Sequence, residues 1–95
     1  MAYYIYIVRC SDNSYYVGYS ENVAKRVKAH NKGSGLHYTK TRRPVVLVYQ
    51  EEYESKKIAL HRERQIKQWR RAKKEALING DLARLKELSK SQANG

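Results

Sequence analysis

The sequence contains no phenylalanine and only one cysteine, one proline and one tryptophan among its 95 residues. Because Cys10 is the single cysteine, an internal disulfide and a thiolate zinc site are both excluded, and a reducing compartment is expected. No apolar run approaches the roughly 18 to 20 residues that a membrane span requires. The first ten residues, MAYYIYIVRC, lack the small-residue cleavage site of a signal peptide. We therefore expect a cytoplasmic protein that is not embedded in a membrane.

The familiar catalytic motifs are missing as well. The sequence has no phosphate-binding glycine loop, no nucleophile elbow and no cluster of cysteine and histidine with metal-ligand spacing. Any catalytic site must therefore be built from polar residues that are dispersed along the chain.

Acidic residues are scarce, since nine Asp and Glu accompany 20 Lys and Arg and leave a formal net charge of +11. The basic residues lie in two blocks, 21–44 and 55–80, and acidic residues separate the blocks at Glu51, Glu52 and Glu54. Clustered positive charge suits a polyanion, because each phosphate contact releases condensed counterions. The alternative is that the charge only keeps a small protein soluble. Charge clustering favours a nucleic acid partner, either DNA or RNA.

Three stretches have the composition of β-strands. Residues 3–10 and 15–19 are β-branched and aromatic, and the turn residues between them predict an antiparallel hairpin. Gly18 lies inside the second stretch, where glycine usually marks a close approach of backbone or ligand. Residues 45–49 form a continuous apolar run, which predicts a third strand that is buried on both faces.

The remaining segments have helical periodicity. Ser20 and Ser55 are suitable N-caps for helices that end near residues 31 and 69. Two shorter helices are predicted at about 71–78 and 82–90. The positions predicted to face inward on the first two helices are Val23, Val27, Ile58, Ala59, Ile66 and Trp69.

These elements predict an α/β fold of the α+β type, a small three-stranded antiparallel sheet flanked by helices in the order β-β-α-β-α-α. Residues 1–80 are expected to form one domain. Residues 81–95 are expected to add a C-terminal helical extension with a frayed tail.

Two tyrosines of the hairpin, Tyr6 and Tyr16, are the first candidate site residues. They share a face of the sheet if the connecting loop has an odd number of residues, and lie on opposite faces if the turn has two residues. The alternative is that both rings only pack in the core.

Two helices carry the other candidates. Arg26 and His30 are neighbours on one helix face, which suits a bound phosphate or, alternatively, a solvated helix edge. Glu63 is the only acid among nine basic residues between Lys56 and Lys74. It is either the partner of Lys67 in an intrahelical ion pair or a ligand for Mg²⁺, which commonly uses one or two carboxylates together with waters and phosphates.

Together these residues resemble a GIY-YIG nuclease domain over about residues 3–80. Its two tyrosine motifs correspond to Tyr4-Ile5-Tyr6 and Tyr16-Val17-Gly18, and its later residues to Arg26, His30 and Glu63. The chain resembles in particular the small stand-alone bacterial, UPF0213-like members, which carry an Arg-Arg-Pro such as Arg42-Arg43-Pro44 before the third strand. Tyr4 replaces the family's first glycine, and Asn79 is only a loose counterpart of its late asparagine.

The resemblance implies hydrolysis of DNA phosphodiesters with one divalent ion, Mg²⁺ or Mn²⁺, and little sequence preference. Glu63 would hold the metal and Arg26 would clamp the phosphate. Tyr6, Tyr16 or His30 would accept the proton of the attacking water; a tyrosine base needs its pKa of about 10 lowered by nearby cations. The residues expected to contact nucleic acid are Lys25, Lys40, Arg42, Arg43, Arg62, Lys67 and Arg70. Tyr38 or Trp69 could stack on an unpaired base, although Trp69 also suits the core. The alternative is a module that binds nucleic acid, branched or single-stranded DNA included, without cleaving it.

Overall fold

The computed structural model describes residues 1–33, 39 and 41–93, with side chains as far as residue 90. It has a three-stranded antiparallel sheet in the order β2-β1-β3, which confirms the predicted fold class. The strands and helices in chain order are β1 (Tyr3–Arg9), β2 (Tyr15–Ser20), α1 (Val23–Asn31), β3 (Val46–Tyr53), α2 (Lys56–Lys67), α3 (Arg71–Ile78) and α4 (Leu82–Ala93).

The first strand, β1, is the buried centre of the sheet. Ile5 and Ile7 point to one face and Val8 points to the other, and all three are 0% exposed. The prediction that the third strand is buried on both faces was wrong, because Val46 and Leu47 of β3 are 51% and 38% exposed. An apolar run predicts a strand, but only strand order decides which strand has neighbours on both sides.

The hairpin register places the two candidate tyrosines on the same face. Tyr6 pairs with Gly18 and Val8 pairs with Tyr16, and directly opposed residues point to the same side of a sheet. The Cys10 N–H donates to the Ser14 carbonyl at 2.8 Å beyond the last strand pair, so the loop is residues 11–13 and has an odd length. Asn13 adopts the left-handed conformation with φ of 71°. A three-residue hairpin loop commonly ends with such a residue, and asparagine tolerates it.

Two apolar clusters cover the two faces of the sheet. The face toward α1 buries Tyr6, Val8, Cys10, Val23 and Val45. The face toward α2 and α3 buries Ile5, Ile7, Val17, Ala59, Ile66 and Leu77. A fully buried side chain such as Ile66 stabilises the fold by about 1.5–3 kcal/mol. The two clusters fix both helical layers on the sheet.

The helix starts agree in part with the prediction. Ser55 caps α2 as predicted, since its hydroxyl accepts a hydrogen bond from the Ile58 N–H at 3.3 Å. The N-cap of α1 is Asn22 and not Ser20, so that prediction was wrong by two residues. The inward position predicted for Ile58 was also wrong, because Ile58 is 55% exposed. Ile58 lies in the first turn of α2, outside the stripe that faces the sheet.

The C-terminal helix is longer than predicted. It runs to Ala93 and not to residue 90, so the predicted frayed tail is helical as far as Ala93, and the last two residues lie outside the described part of the chain. Leu85 of α4 packs against the cluster that contains Leu77, which holds this extension on the domain. None of the helices among the described residues is both long enough and apolar enough to cross a membrane.

Candidate active site

The Tyr6 side chain is buried at the centre of the site. Only 1% of Tyr6 is exposed, and its ring lies across Gly18 on the neighbouring strand. A Cβ atom at position 18 would come within 2.5 Å of the Tyr6 hydroxyl. The glycine in the strand therefore serves a close approach, and the group that approaches is the phenol.

A chain of three buried polar side chains runs inward from this phenol. The Tyr6 hydroxyl shares a hydrogen bond of 3.0 Å with Nε2 of His30, and Nδ1 of His30 shares one of 2.6 Å with Oγ1 of Thr39. His30 and Thr39 are both 0% exposed. Burial, assisted by the positive charge of Arg26, lowers the pKa of His30 below its ordinary value of 6.5. The imidazole is therefore neutral at pH 7. Thr39 was not among the sequence candidates.

Tyr16 lies beside this chain and is less buried than Tyr6. Its ring centroid is 6.4 Å from that of Tyr6 and 5.6 Å from that of His30, which it meets edge-on. Lys67 of α2 places its ammonium 5.9 Å from the centre of the Tyr16 ring. Because Tyr16 is on the edge strand β2, side chains of α2 reach it around the edge of the sheet.

Arg26 and Glu63 have opposite effects on the pKa values of the two phenols, Tyr6 and Tyr16. Burial raises the pKa of Tyr6 above the ordinary range; Tyr16 and Glu63 also raise it, while Arg26 lowers it. The pKa of Tyr16 is raised by burial and then by Glu63, again against a lowering effect of Arg26. The structure thus brings Tyr6, Tyr16 and His30 into contact and places the charges of Arg26 and Glu63 close enough to act on both hydroxyls. Arg26 alone does not provide the lowered phenol pKa that a tyrosine base requires.

The Glu63 carboxylate has two possible partners. Its side chain is 16% exposed and lies 3.6 Å from the Lys67 ammonium, a loose ion pair of the type expected for this spacing. Within the described ranges, no three His, Cys, Asp or Glu side chains are grouped closely enough to hold a metal ion. A single carboxylate fits Mg²⁺ or Mn²⁺ when waters and substrate phosphate complete the shell. The donor set is therefore compatible with one ion held at Glu63.

The candidate cations for nucleic acid binding fall into two classes. Lys25 and Arg70 are exposed, and Lys25 lines an open hollow of about 300 Å³ together with Arg26. Arg62 instead turns its guanidinium onto the Glu51 carboxylate, with contacts of 2.9 and 3.1 Å. Arg62 is thus engaged in a partly buried ion pair within the fold.

The Arg-Arg-Pro segment also makes contacts within the fold. Arg42 forms an ion pair of 3.0 Å with Asp12 in the hairpin loop, and Arg43 donates a hydrogen bond of 3.4 Å to the Asn31 carbonyl. These contacts tie the segment before β3 to the hairpin and to α1. Two further candidates, Tyr38 and Lys40, lie outside the described residues.

Trp69 and Asn79 are two further residues that the sequence analysis discussed. The Trp69 ring packs against the core cluster, with Cζ of Arg62 at 5.1 Å and Nζ of Lys73 at 4.1 Å from the ring centroid. This position agrees with a role of Trp69 in the core. Asn79 is the C-cap of α3, where its N–H donates to the Glu75 carbonyl at 2.9 Å.

The chain matches the model of the GIY-YIG catalytic domain over residues 2–76. A UPF0213 protein of Staphylococcus haemolyticus is 55% identical over 76 residues, which is 80% of this chain and 93% of the relative. A UPF0213 protein of Staphylococcus aureus is 56% identical over 77 residues, covering 81% of this chain and 94% of the relative.

Two solution NMR structures resemble the structure of this chain. That of a UPF0213 protein from Bacillus halodurans has a TM-score of 0.55 at 40% identity and covers 83% of this chain and 84% of its own. That of a protein from E. faecalis has a TM-score of 0.59 at 29% identity, and the match covers 87% of this chain and 88% of that protein. Since the family model spans most of the sequence and the relatives are more than half identical, the chain belongs to the GIY-YIG nuclease family.

Proposed function

We propose that the protein is a divalent-metal-dependent endonuclease of the cytoplasm that hydrolyses DNA phosphodiesters with little sequence preference. The observation that carries the proposal is the buried Tyr6–His30 hydrogen bond, which lies beside Tyr16 in the combined field of Arg26 and Glu63. The buried polar groups are hydrogen-bonded to one another, which offsets the cost of removing them from water. Groups with perturbed pKa values concentrate at functional sites.

The two charged residues have complementary roles. Glu63 would hold the ion, Mg²⁺ or Mn²⁺, which when bound neutralises charge that develops on the scissile phosphate. Arg26 is exposed on α1, where its guanidinium can donate hydrogen bonds to the oxygens of a phosphate. Its positive charge also faces both phenols, so it biases the site toward an anionic substrate.

The proton acceptor in this proposal is His30, reached through Tyr6. Both phenols stay protonated at neutral pH because their pKa values are raised, chiefly by burial, whereas His30 is neutral because burial lowers its pKa. The neutral imidazole has one free nitrogen lone pair and is hydrogen-bonded to Tyr6. Tyr16, which is only half-buried, would orient the attacking water.

The exposed cations would give an affinity for DNA that does not depend on base sequence. Lys25, Lys67 and Arg70 are exposed, and exposed ammonium and guanidinium groups suit phosphate contacts, which carry no sequence information. We therefore propose that the protein follows the backbone of DNA, with branched or single-stranded forms as candidate substrates.

The test is cleavage of labelled duplex, branched and single-stranded DNA with and without Mg²⁺ or Mn²⁺. Glu63→Gln removes the charge at nearly constant volume, and Glu54→Gln is its control, since Glu54 is exposed at the end of β3. We expect metal-dependent cleavage by the wild type and by Glu54→Gln, and a loss of about 10²–10³-fold in Glu63→Gln. Equal cleavage by the wild type and Glu63→Gln would overturn the proposal.

A second candidate function is a binding module without catalysis. The observations that favour it are the ion pair between Glu63 and Lys67 and the raised pKa values of the phenols, which follow from burial. Tight, salt-dependent DNA binding without cleavage in either metal would select this alternative. Competition between DNA and RNA for the purified protein identifies the nucleic acid that is preferred.

A further inference from the structure

We propose that Thr39 is a positioning residue that fixes the tautomer of His30, so that Nε2 is the nitrogen that accepts a proton from Tyr6. The effect on reaction rate rests on the proposed function. The tautomer itself does not, and it is measurable in the protein without substrate.

The assignment follows from the hydrogen bonds of the buried phenol. The Tyr6 hydroxyl is a donor as well as an acceptor, and Tyr6 is 1% exposed. Within the described part of the chain, its one hydrogen-bond partner is Nε2 of His30, at 3.0 Å. If Tyr6 donates, Nε2 carries no proton, and the proton of the neutral imidazole is on Nδ1. That N–H then donates to Oγ1 of Thr39 at 2.6 Å.

The opposite tautomer pairs the three side chains less well. If Nε2 carried the proton, the phenol oxygen would have to accept from Nε2 and the Thr39 hydroxyl would have to donate to Nδ1. A phenol, with an ordinary pKa of about 10, is a stronger hydrogen-bond donor and a weaker acceptor than an aliphatic hydroxyl. A doubly protonated imidazole is disfavoured because burial and Arg26 lower the pKa of His30. The arrangement that gives the imidazole lone pair the stronger donor has the proton on Nδ1, with Thr39 as its acceptor.

The backbone around Thr39 is held in place by bonds to two other elements. The Thr39 carbonyl accepts from the Arg42 N–H at 3.1 Å, and the Arg42 carbonyl accepts from the Ser11 N–H at 2.9 Å in the hairpin loop. The Asn31 side chain, at the end of the helix that carries His30, donates to the Val45 carbonyl at 3.0 Å and accepts from the Val45 N–H at 2.6 Å. The threonine hydroxyl is therefore fixed relative to the imidazole, as a positioning residue requires.

The tautomer decides whether the relay can work. When the water oxygen attacks phosphorus, a water proton passes to the Tyr6 oxygen, and the Tyr6 proton passes to the free lone pair of Nε2. The phosphorus bond to the leaving oxygen breaks, and that oxygen takes its proton from solvent. With a proton already on Nε2, His30 has no lone pair toward Tyr6 and the relay is blocked. Thr39 touches neither water nor phosphate in this scheme and acts only through His30.

The direct test is the ¹⁵N–¹H long-range spectrum of the imidazole nitrogens in substrate-free protein at pH 7.5, with His30→Gln used to assign the signals. We expect the wild type to have its proton on Nδ1, and Thr39→Ser, which keeps the hydroxyl, to give the same pattern. Thr39→Val keeps the shape but removes the acceptor, and we expect its proton to shift toward Nε2. A wild-type spectrum with the proton on Nε2, or an unchanged tautomer in Thr39→Val, overturns the proposal.

Kinetics then separate this inference from the proposed function. Loss of a group that orients a reacting residue typically costs 10–100-fold in activity. We expect a loss of about that size in kcat for Thr39→Val, with unchanged DNA affinity and near-normal kcat in Thr39→Ser. A wild type that has the expected tautomer but cleaves no DNA contradicts the proposed function and leaves the tautomer assignment standing. Cleavage by Thr39→Val at the wild-type rate contradicts the role of Thr39 in the relay. Because the wild-type spectrum alone decides the tautomer, the inference stays testable even if Thr39→Val does not fold.

Discussion

The ring of Tyr6 lies so close to Gly18 that a methyl group at position 18 would come within 2.5 Å of the Tyr6 hydroxyl. Gly18→Ala therefore forces the phenol to move, and the hydrogen bond from Tyr6 to His30 is lost or distorted. We expect the free energy of unfolding to fall by about 1–3 kcal/mol, as for other overpacked sites. Cleavage should fall with it by about 10²-fold, the lower end of the range for lost acid–base assistance. Urea denaturation and the cleavage assay measure the two effects.

The double variant Gly18→Ala, Tyr6→Phe is the control for this prediction. The ring atoms of Tyr6 also clash with a Cβ at position 18, so the destabilisation should persist in the double variant. The double variant should lose no more activity than Tyr6→Phe alone, because the hydroxyl is already absent in Tyr6→Phe. Additive losses of activity would show that Gly18 acts by another route.

The hydroxyl of Tyr6 can be tested on its own with Tyr6→Phe. The change leaves Nε2 of His30 without its partner in a buried site, and we expect a loss of about 1–2 kcal/mol in stability. Cleavage should fall by about 10²–10⁴-fold, the usual range for general acid–base assistance. Tyr19→Phe is the matched control, since the buried Tyr19 hydroxyl has no hydrogen-bond partner among the described residues. It should leave cleavage unchanged and should not lower the stability, because it removes a buried polar group that has no partner. Full activity in Tyr6→Phe would remove this phenol from the mechanism.

The sequence predicted which side chains the fold brings together better than it predicted their surroundings. Tyr6, Tyr16 and His30, which are in contact, were selected from the spacing of motifs, and that spacing does not depend on the conformation of the loops. The shared face of the two tyrosines depended on the parity of the hairpin loop, which composition alone left open. The structure resolves it through the odd loop at residues 11–13.

The errors have a common physical cause, which is that burial is decided by tertiary neighbours. The apolar run that begins β3 indicated a central strand, but the pairing makes β1 central and leaves Val46 half exposed. Ile58 is apolar and yet faces solvent in the first turn of α2. Thr39 gave no signal, because a single threonine in a polar basic segment is ordinarily a surface residue. Its burial comes from the bonds that tie its segment to the hairpin and to α1.

The stability of the protein should depend on pH through His30. The pKa of this residue is lowered in the folded state, chiefly by burial, from an unfolded value of 6.5. Below pH 6.5 the unfolded chain therefore binds a proton at His30 more readily than the folded protein does. The free energy of unfolding decreases as the pH falls from about 6.5 toward the pKa of His30 in the folded state. We expect a lower urea midpoint at pH 5.5 than at pH 7.5. The difference should shrink in His30→Gln, and an equal difference in both proteins would exclude His30 as its source.

The contact between Glu51 and Arg62 should stabilise the fold without contributing to DNA binding. The Glu51 carboxylate also accepts hydrogen bonds from Tyr49 and Tyr53, which with Arg62 lower its pKa even though burial raises it. We expect Arg62→Ala to lower the free energy of unfolding by about 1–3 kcal/mol, reduced from the fully buried case because solvent screens the pair in part. The salt dependence of DNA binding should stay at the wild-type value. Arg64→Ala, an exposed neighbour on α2, is the stability control. A shallower salt dependence of DNA binding in Arg62→Ala would show that Arg62 does contact DNA.

Two of the exposed cations, Lys25 and Arg70, should act through phosphate contacts, and salt titration separates such contacts from an effect of net charge. Lys25 lies beside Arg26 on the rim of an open hollow, and Arg70 is exposed at the start of α3. Removing one phosphate contact lowers the magnitude of the slope of log K against log salt by about 1, so Lys25→Ala and Arg70→Ala should each produce a change of that size. Arg84→Ala removes the same charge from α4, where Arg84 pairs with Glu87, and should leave the slope unchanged. If all three variants change the slope equally, the binding responds to total charge, and Lys25 and Arg70 have no special part in holding DNA.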